Sequence, residues 1–205
     1  DSGTQVDFIA DDRVAVAPSL TWRPSAATSL TFLASFQDDH SGSTSQFFPF
    51  SGTLLPNPNG RIPTNRFIGL PGIDHYDSRR TEGGWLFEHR LNERWTFRQN
   101  FRLAQNEVDY FTAYADSFSN PAAPYLDPAQ RVLDRFAYFE NRKARIATAD
   151  QHFEGRFQTG ALRHQLLAGL DVVRFRESSR AAGDDSITGT LAPIDVYSPV
   201  YLPYT

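Results

Sequence analysis

The stretch Arg94-Trp95-Thr96-Phe97-Arg98-Gln99-Asn100-Phe101-Arg102-Leu103 decides how the chain is read. Trp95, Phe97, Phe101 and Leu103 share one parity, and Arg94, Thr96, Arg98, Asn100 and Arg102 share the other. Side chains alternate across a strand, so this decapeptide makes a strand with one aromatic and one cationic face. About 9–11 residues is also the length a tilted strand needs to cross a bilayer. The aromatic face must meet either a protein core or lipid.

Flanking sequence repeats the pattern in pairs. Residues 13–23 set Val14, Val16, Leu20 and Trp22 against Arg13, Ala15, Ala17, Ser19, Thr21 and Arg23, with Pro18 interrupting. After a short turn at 24–27, residues 28–38 set Leu30, Phe32, Ala34 and Phe36 against Ser29, Thr31, Ser35 and Gln37. This pair reads as a hairpin. Residues 76–90 predict a third strand, with Trp85 and Phe87 opposite Arg80, Glu82, Glu88 and Arg90. Leu91-Asn92-Glu93 turns into the opening strand, which runs to about Phe111. Residues 132–157 predict a fifth strand, 158–162 a turn around Gly160, and 163–177 a sixth. Tight turns alternate with long segments at 41–75, at 112–131 and from 178 onward, all on one rim. Loops of more than about 12–15 residues are uncommon in compact domains. Short turns at one rim and long loops at the other is the layout of an outer-membrane barrel.

Composition permits this. The chain has 205 residues, net charge −4 and 14% aromatic residues, which gives nucleic acid nothing to bind and a membrane interface much. There is no Cys for a disulfide or thiolate metal site, and no run of about 18 apolar residues for a transmembrane helix. The chain opens on Asp1-Ser2-Gly3-Thr4 without Met and reads as an internal piece of a longer protein. A soluble antiparallel barrel or sandwich would also alternate. Against it stand the strand lengths, well above the usual 5–6 or so residues. The polar faces also carry charge in unbroken series, and Trp22, Trp85 and Trp95 all lie near the tight turns, as in an interfacial girdle. The expected fold is therefore all-β: an antiparallel transmembrane β-barrel segment of about six long strands. Six strands cannot close such a barrel, whose smallest examples have about eight, so further strands are expected elsewhere.

Several motifs resemble the TonB-dependent siderophore receptors of the ferrichrome and hydroxamate type. They are Val16-Ala-Pro-Ser-Leu-Thr-Trp-Arg-Pro24, Thr28-Ser-Leu-Thr-Phe-Leu-Ala-Ser-Phe-Gln-Asp-Asp39, Gly52-Thr-Leu-Leu-Pro-Asn-Pro-Asn-Gly-Arg-Ile-Pro63 with Phe67-Ile68-Gly69, Phe87-Glu-His-Arg-Leu91 before Trp95, and His164-Gln-Leu-Leu-Ala-Gly-Leu-Asp171. The resemblance implies a barrel of about 22 strands in the Gram-negative outer membrane, filled by an N-terminal plug. It implies import of a ferric siderophore, the transported ligand, with energy from the TonB complex, and contact with outer-membrane lipid. No resident cofactor is implied. Residues 1–205 would then be a partial β-barrel domain, without plug, TonB-contacting segment or remaining strands. The alternatives are a passive porin-like channel and a soluble β-rich binding protein.

No catalytic residues are expected, since no nucleophile elbow, phosphate loop or dinucleotide fingerprint is present. An outer-membrane phospholipase would need a Ser-His pair in its strands, and none stands out. The five His show no ligand spacing; Asp38-Asp39-His40 and Asp74-His75 read as rim charges rather than a metal site. A ferric chelate is bulky and oxygen-rich, which suits aromatic rings and Arg forks. Candidate ligand-binding residues are Phe47, Phe48, Phe50, Arg61 and Arg66 in the first long segment, Tyr76, Arg79 and Arg80 at the start of the next strand, and Tyr110 and Tyr114 beyond. Arg94, Arg98, Arg102, Asp150, His152, Glu154 and Arg156 are expected to face a wet lumen.

Overall fold

The computed structural model describes residues 4–183 and 191–202. Nine strands follow in order: β1 (Asp11–Val16), β2 (Ser19–Ser25), β3 (Thr28–Ser41), β4 (His75–Arg90), β5 (Trp95–Ala115), β6 (Val132–Leu133), β7 (Arg135–Thr159), β8 (Leu162–Gly183) and β9 (Ile194–Asp195). All but β6 and β9 form one antiparallel sheet, in which β3, β4, β5, β7 and β8 are successive neighbours and β1 and β2 both pair with β3. No helix occurs among the described residues.

Three tight turns close one end. Ala26-Ala27 joins β2 to β3, and Gly160-Ala161 joins β7 to β8 with Gly160 at a φ of 59°. Between β4 and β5, the Asn92 Oδ1 accepts the N–H groups of Arg94 and Trp95 at 2.9 and 3.0 Å. Arg94 therefore belongs to the turn and not to the strand. Pro18 splits the expected 13–23 strand because it has no N–H to give the ladder. The register nevertheless continues unbroken, from Val16↔Phe36 to Ser19↔Leu33.

The strands outrun their sequence-based limits. β5 reaches Ala115, β7 has 25 residues and β8 has 22, about twice what a bilayer requires. The register shows why. One rung of the aromatic face reads Leu20, Phe32, Trp85, Phe101, Ala149, Val172 across the sheet. The next toward the turns reads Trp22, Leu30, Phe87, Gln99, Gln151, Leu170. Further from the turns the same face becomes Asp38, Arg79, Glu107, Lys143, Ser178, then His40, Asp77, Asp109, Asn141, Arg180. A strand that leaves lipid no longer needs an apolar face, so the alternation that marks its lower half ends while its hydrogen bonding continues.

Among the described residues, no second layer covers the apolar band. Leu20, Trp22, Phe32, Leu103, Leu170 and Val172 are exposed, and Phe97 and Phe101 are half-buried only by in-sheet neighbours such as Phe153 and Trp85. Trp95 lies over Gly155, where an added Cβ would stand 2.6 Å from the indole. A soluble sheet would bury this face. Among the described residues the buried apolar side chains, Ala104 apart, lie in the N-terminal segment, the long connections and the strand tips: Val6, Ile9, Ile62, Phe67, Ile68, Leu70, Phe111, Ala113, Ala115, Leu133, Ala137, Leu191, Ile194 and Val196.

Candidate ligand-facing rim

The face opposite the apolar band is a continuous polar lattice. Strand period two puts Arg98, Arg102, Asp150, His152, Glu154 and Arg156 together there, as neighbours on β5 and β7. Arg98 donates to Glu88 at 2.8 Å and to Glu154 at 2.6 Å. Arg156 donates to the same Glu154, and Gln165 of β8 completes that carboxylate's shell at 3.0 Å. Asp150 lies 3.0 Å from the His152 Nδ1. Higher up, Glu82 accepts from Ser35 and Arg80 and stands 4.0 Å from Arg102. Asp39 then gathers Arg13, Gln37 and Ser78. Most of these charges are thus matched to one another within the face.

Above this lattice the same face turns aromatic. Tyr76 of β4, Tyr110 of β5 and Tyr138 of β7 form a row with ring centroids 5.1 and 5.8 Å apart. Tyr114, two periods of alternation further along β5, meets Phe47 at 5.2 Å and Phe136 at 6.4 Å, while Phe47 also meets Phe118 at 6.4 Å. Thus Tyr76, Tyr110, Tyr114 and Phe47, proposed separately from sequence, converge on one wall. Tyr138, Phe118 and Phe136 join it without having been singled out; the alternation of β7 before residue 140 held the signal for two of them.

The other candidates go elsewhere. Phe48 packs against a loop core, Phe50 is exposed, and Arg80 is paired with Glu82 on the lattice face. Arg61 donates to the Thr53 carbonyl within its own connection, and Arg66 donates to the Tyr197 carbonyl at 3.2 Å, tying two segments together. Arg79 requires a correction. It has the parity opposite to Tyr76 and lies on the outward face, bridging to Asp38 at 3.1 Å. Arg94 sits in the turn rather than in β5, and it lines one cleft with Glu88, Arg98, Glu154 and Arg156 of the lattice face. No group of three or more His, Asp and Glu side chains suited to a metal ion occurs among the described residues.

The wall is built against a cap made by the long connections. Asp74 accepts the N–H groups of Leu70 and Ala113, at 2.9 and 3.0 Å, and the Thr112 hydroxyl. Burial dominates there and pushes the Asp74 carboxyl above its ordinary pKa despite those donors. Tyr125, buried and close to Tyr197, is pushed up to about 12. For Asp195 burial works the other way from its partners; Arg131 and the Tyr197 and Ser198 amides win and hold it below the usual carboxylate range.

No protein-family model matches the chain. It is 33% identical to the ferrichrome outer membrane transporter/phage receptor of Escherichia coli K12 over 202 residues, 93% of this chain and 26% of that protein. It is 30% identical to the ferrioxamine B receptor of Salmonella typhimurium SL1344, covering 97% of this chain and 26% of that one. The chain thus spans about a quarter of the length of the relatives it matches. Among solved structures, the closed form of the ferric-catecholate import receptor Fiu from E. coli K12 superimposes with a TM-score of 0.78 at 20% identity, over 96% of this chain and 28% of that one. The siderophore receptor PiuA from Acinetobacter baumannii does so with a TM-score of 0.73 at 16% identity, over all of this chain and 31% of that one.

Proposed function

We propose, from the chain's membership of the TonB-dependent siderophore receptors of the Gram-negative outer membrane, that the whole protein imports a ferric siderophore with energy supplied through the TonB complex. The observation that carries this for the chain itself is the sided construction of the sheet. One face is an uncovered apolar band, and the other is a charge-matched lattice topped by an aromatic wall. A passive channel would need the lattice but not the wall, and a soluble binding protein would not leave the band bare. The two free edges, β8 on one side and β1 with β2 on the other, are where the remaining staves would pair, and the lattice is the surface a plug would meet. The segment is read as part of the barrel domain, and as carrying no catalytic role.

The wall supplies rings but few unpaired cations, since Arg80 and Arg142 both have carboxylate partners. Contact with a chelate would therefore run chiefly through aromatic faces and tyrosyl hydroxyls. Replacing Phe47, Tyr76 and Tyr114 together by Ala in the full receptor should weaken binding of ferric hydroxamate by about tenfold or more, read by quenching of intrinsic fluorescence. Unchanged affinity would remove the wall from the binding site.

A further inference from the structure

We propose that the described parts of the three long connections above this part of the sheet form one rigid block, pinned to the strands by Arg135, so that this sector of the rim moves as a unit or not at all. The inference does not depend on which ligand the receptor carries. Its basis is where the protein has placed its core. Ile62 and Ile68 come from the first connection, Leu133 from the second, and Ile194 and Val196 from the third, and they form one buried cluster with Ala115. A second cluster, Leu70, Ala113, Ala137, Phe111 and Leu191, seats the block on β5 and β7. No one of these segments could bury its apolar side chains alone.

Polar ties follow the same plan. Asn57 and Asn59 of the first connection donate to the Gln130 and Ala129 carbonyls of the second, at 3.2 and 2.7 Å. The Tyr125 hydroxyl returns a bond to the Ser51 carbonyl at 2.7 Å. β6 pairs with β9, and Arg131 adds a bond to Asp195 at 2.9 Å. The Tyr197 hydroxyl closes the circuit on the Gly60 carbonyl at 2.9 Å. Each pair of connections is thus joined directly, and the Asn57, Tyr125 and Arg131 bonds are partly shielded from water.

Arg135 is where the block meets the sheet. It is buried, and among the described residues it makes no salt bridge. Its Nε and one Nη donate to the Ala192 carbonyl, at 2.9 and 2.7 Å, and its other Nη donates to the Ile68 and Gly69 carbonyls, at 2.9 and 3.1 Å. One guanidinium therefore holds two connections that lie more than a hundred residues apart in sequence. From the other side, the Gln46 Oε1 accepts the Ile68 N–H at 2.7 Å, and Asp74 accepts that of Leu70. The 68–70 backbone is held on both flanks, and the planar five-donor fork is what makes such a junction possible. Gly69 leaves room for it, because a Cβ there would collide with Asp74 and Phe67.

The test is hydrogen exchange on the full receptor in lipid nanodiscs. Amides of 66–70, 131–133 and 194–197 should open with one shared protection factor although they belong to three loops. Ile194→Ala, placed in the third connection alone, should lower protection in all three by a similar factor of about tenfold or more. Arg135→Gln should do the same, and Arg135→Lys, which keeps the charge but loses the fork, should fail to restore it. If Ile194→Ala loosens only 194–197, the three connections are independent and the proposal is wrong. If it loosens all three while Arg135→Gln loosens none, Arg135 is not the pin and the proposal fails in that part. Ile194→Ala decides the main point even should Arg135→Gln prevent assembly.

Discussion

The lower sheet and the cap solve opposite problems with the same chain. In the lower sheet the backbone is satisfied by neighbours in register, the apolar side chains face outward uncovered, and the polar ones pair across strands. In the cap the apolar side chains face one another, and the backbone is satisfied by single side chains such as Gln46, Asp74 and Arg135. The first arrangement needs lipid as its second layer. The second is an ordinary protein core, of small size, set on strands that have left the membrane. Stability in the cap is therefore tied to individual residues, and in the sheet to repetition.

The sharpest way to break this contrast is to truncate the cap core. Leu133→Ala removes a fully buried side chain at the centre of the first cluster. It should destabilise the cap by about 2–5 kcal/mol, measured by hydrogen exchange of the loop amides, while global unfolding of the receptor hardly shifts. A matching loss of global stability would mean that the cap and the sheet are one cooperative unit. Next in size is the reverse experiment. Leu170→Arg puts a charge on the uncovered band and should cost about 2–4 kcal/mol near the bilayer midplane, read by urea unfolding in lipid. Asp171→Asn, one residue along and on the lattice face, should change stability far less. Equal effects at 170 and 171 would contradict the assignment of the two faces.

The same contrast explains what the sequence discloses. The staves were legible because lipid imposes a period of two over ten or so residues, as in Trp95 to Leu103, and because 24–27, 91–93 and 158–162 read as short turns, although the structure keeps Pro24 and Ser25 in β2 and turns only at Ala26-Ala27. Strand ends at Ala115 and Gly183 were not legible, because above the band both faces carry charge. The cap was less legible still. Ile62, Leu133 and Ile194 belong to segments with no periodicity, brought together over more than a hundred residues by contacts that leave no local mark. Arg79 was misplaced by grouping residues on sequence proximity to Tyr76 where parity should have separated them. Arg135 went unnoticed because, in sequence, it is one more arginine at the start of a strand.

The smallest expected effect is on pH, and it again divides the cap from the sheet. Asp74 has a folded pKa above the ordinary aspartate value of 3.8, mainly through burial, opposed by the Ala113 and Leu70 amides, the Thr112 hydroxyl and the nearby Arg135 cation. Its ionised form therefore costs the cap stability near neutral pH, and that cost is relieved as pH falls through the raised folded pKa towards 3.8. Asp195 and Asp127 are only half-buried; the Arg131 side chain and the Tyr197 and Ser198 amides for Asp195, and the Val132 and Arg131 amides for Asp127, outweigh that desolvation and hold both below 3.8. Their contribution is intact above 3.8 and is lost as pH falls below it through their folded values. Protection of the 66–70 amides, corrected for intrinsic exchange, should therefore rise slightly in mild acid and then fall. Asp74→Asn, which cannot titrate, should abolish the rise and keep the fall, although its amide would meet the Ala113 N–H and Thr112 hydroxyl as a second donor and lower protection throughout. A steady decline from neutral pH in the unmodified receptor would mean that Asp74 is ionised at no cost, and that the cap is wetter at its base than its packing implies.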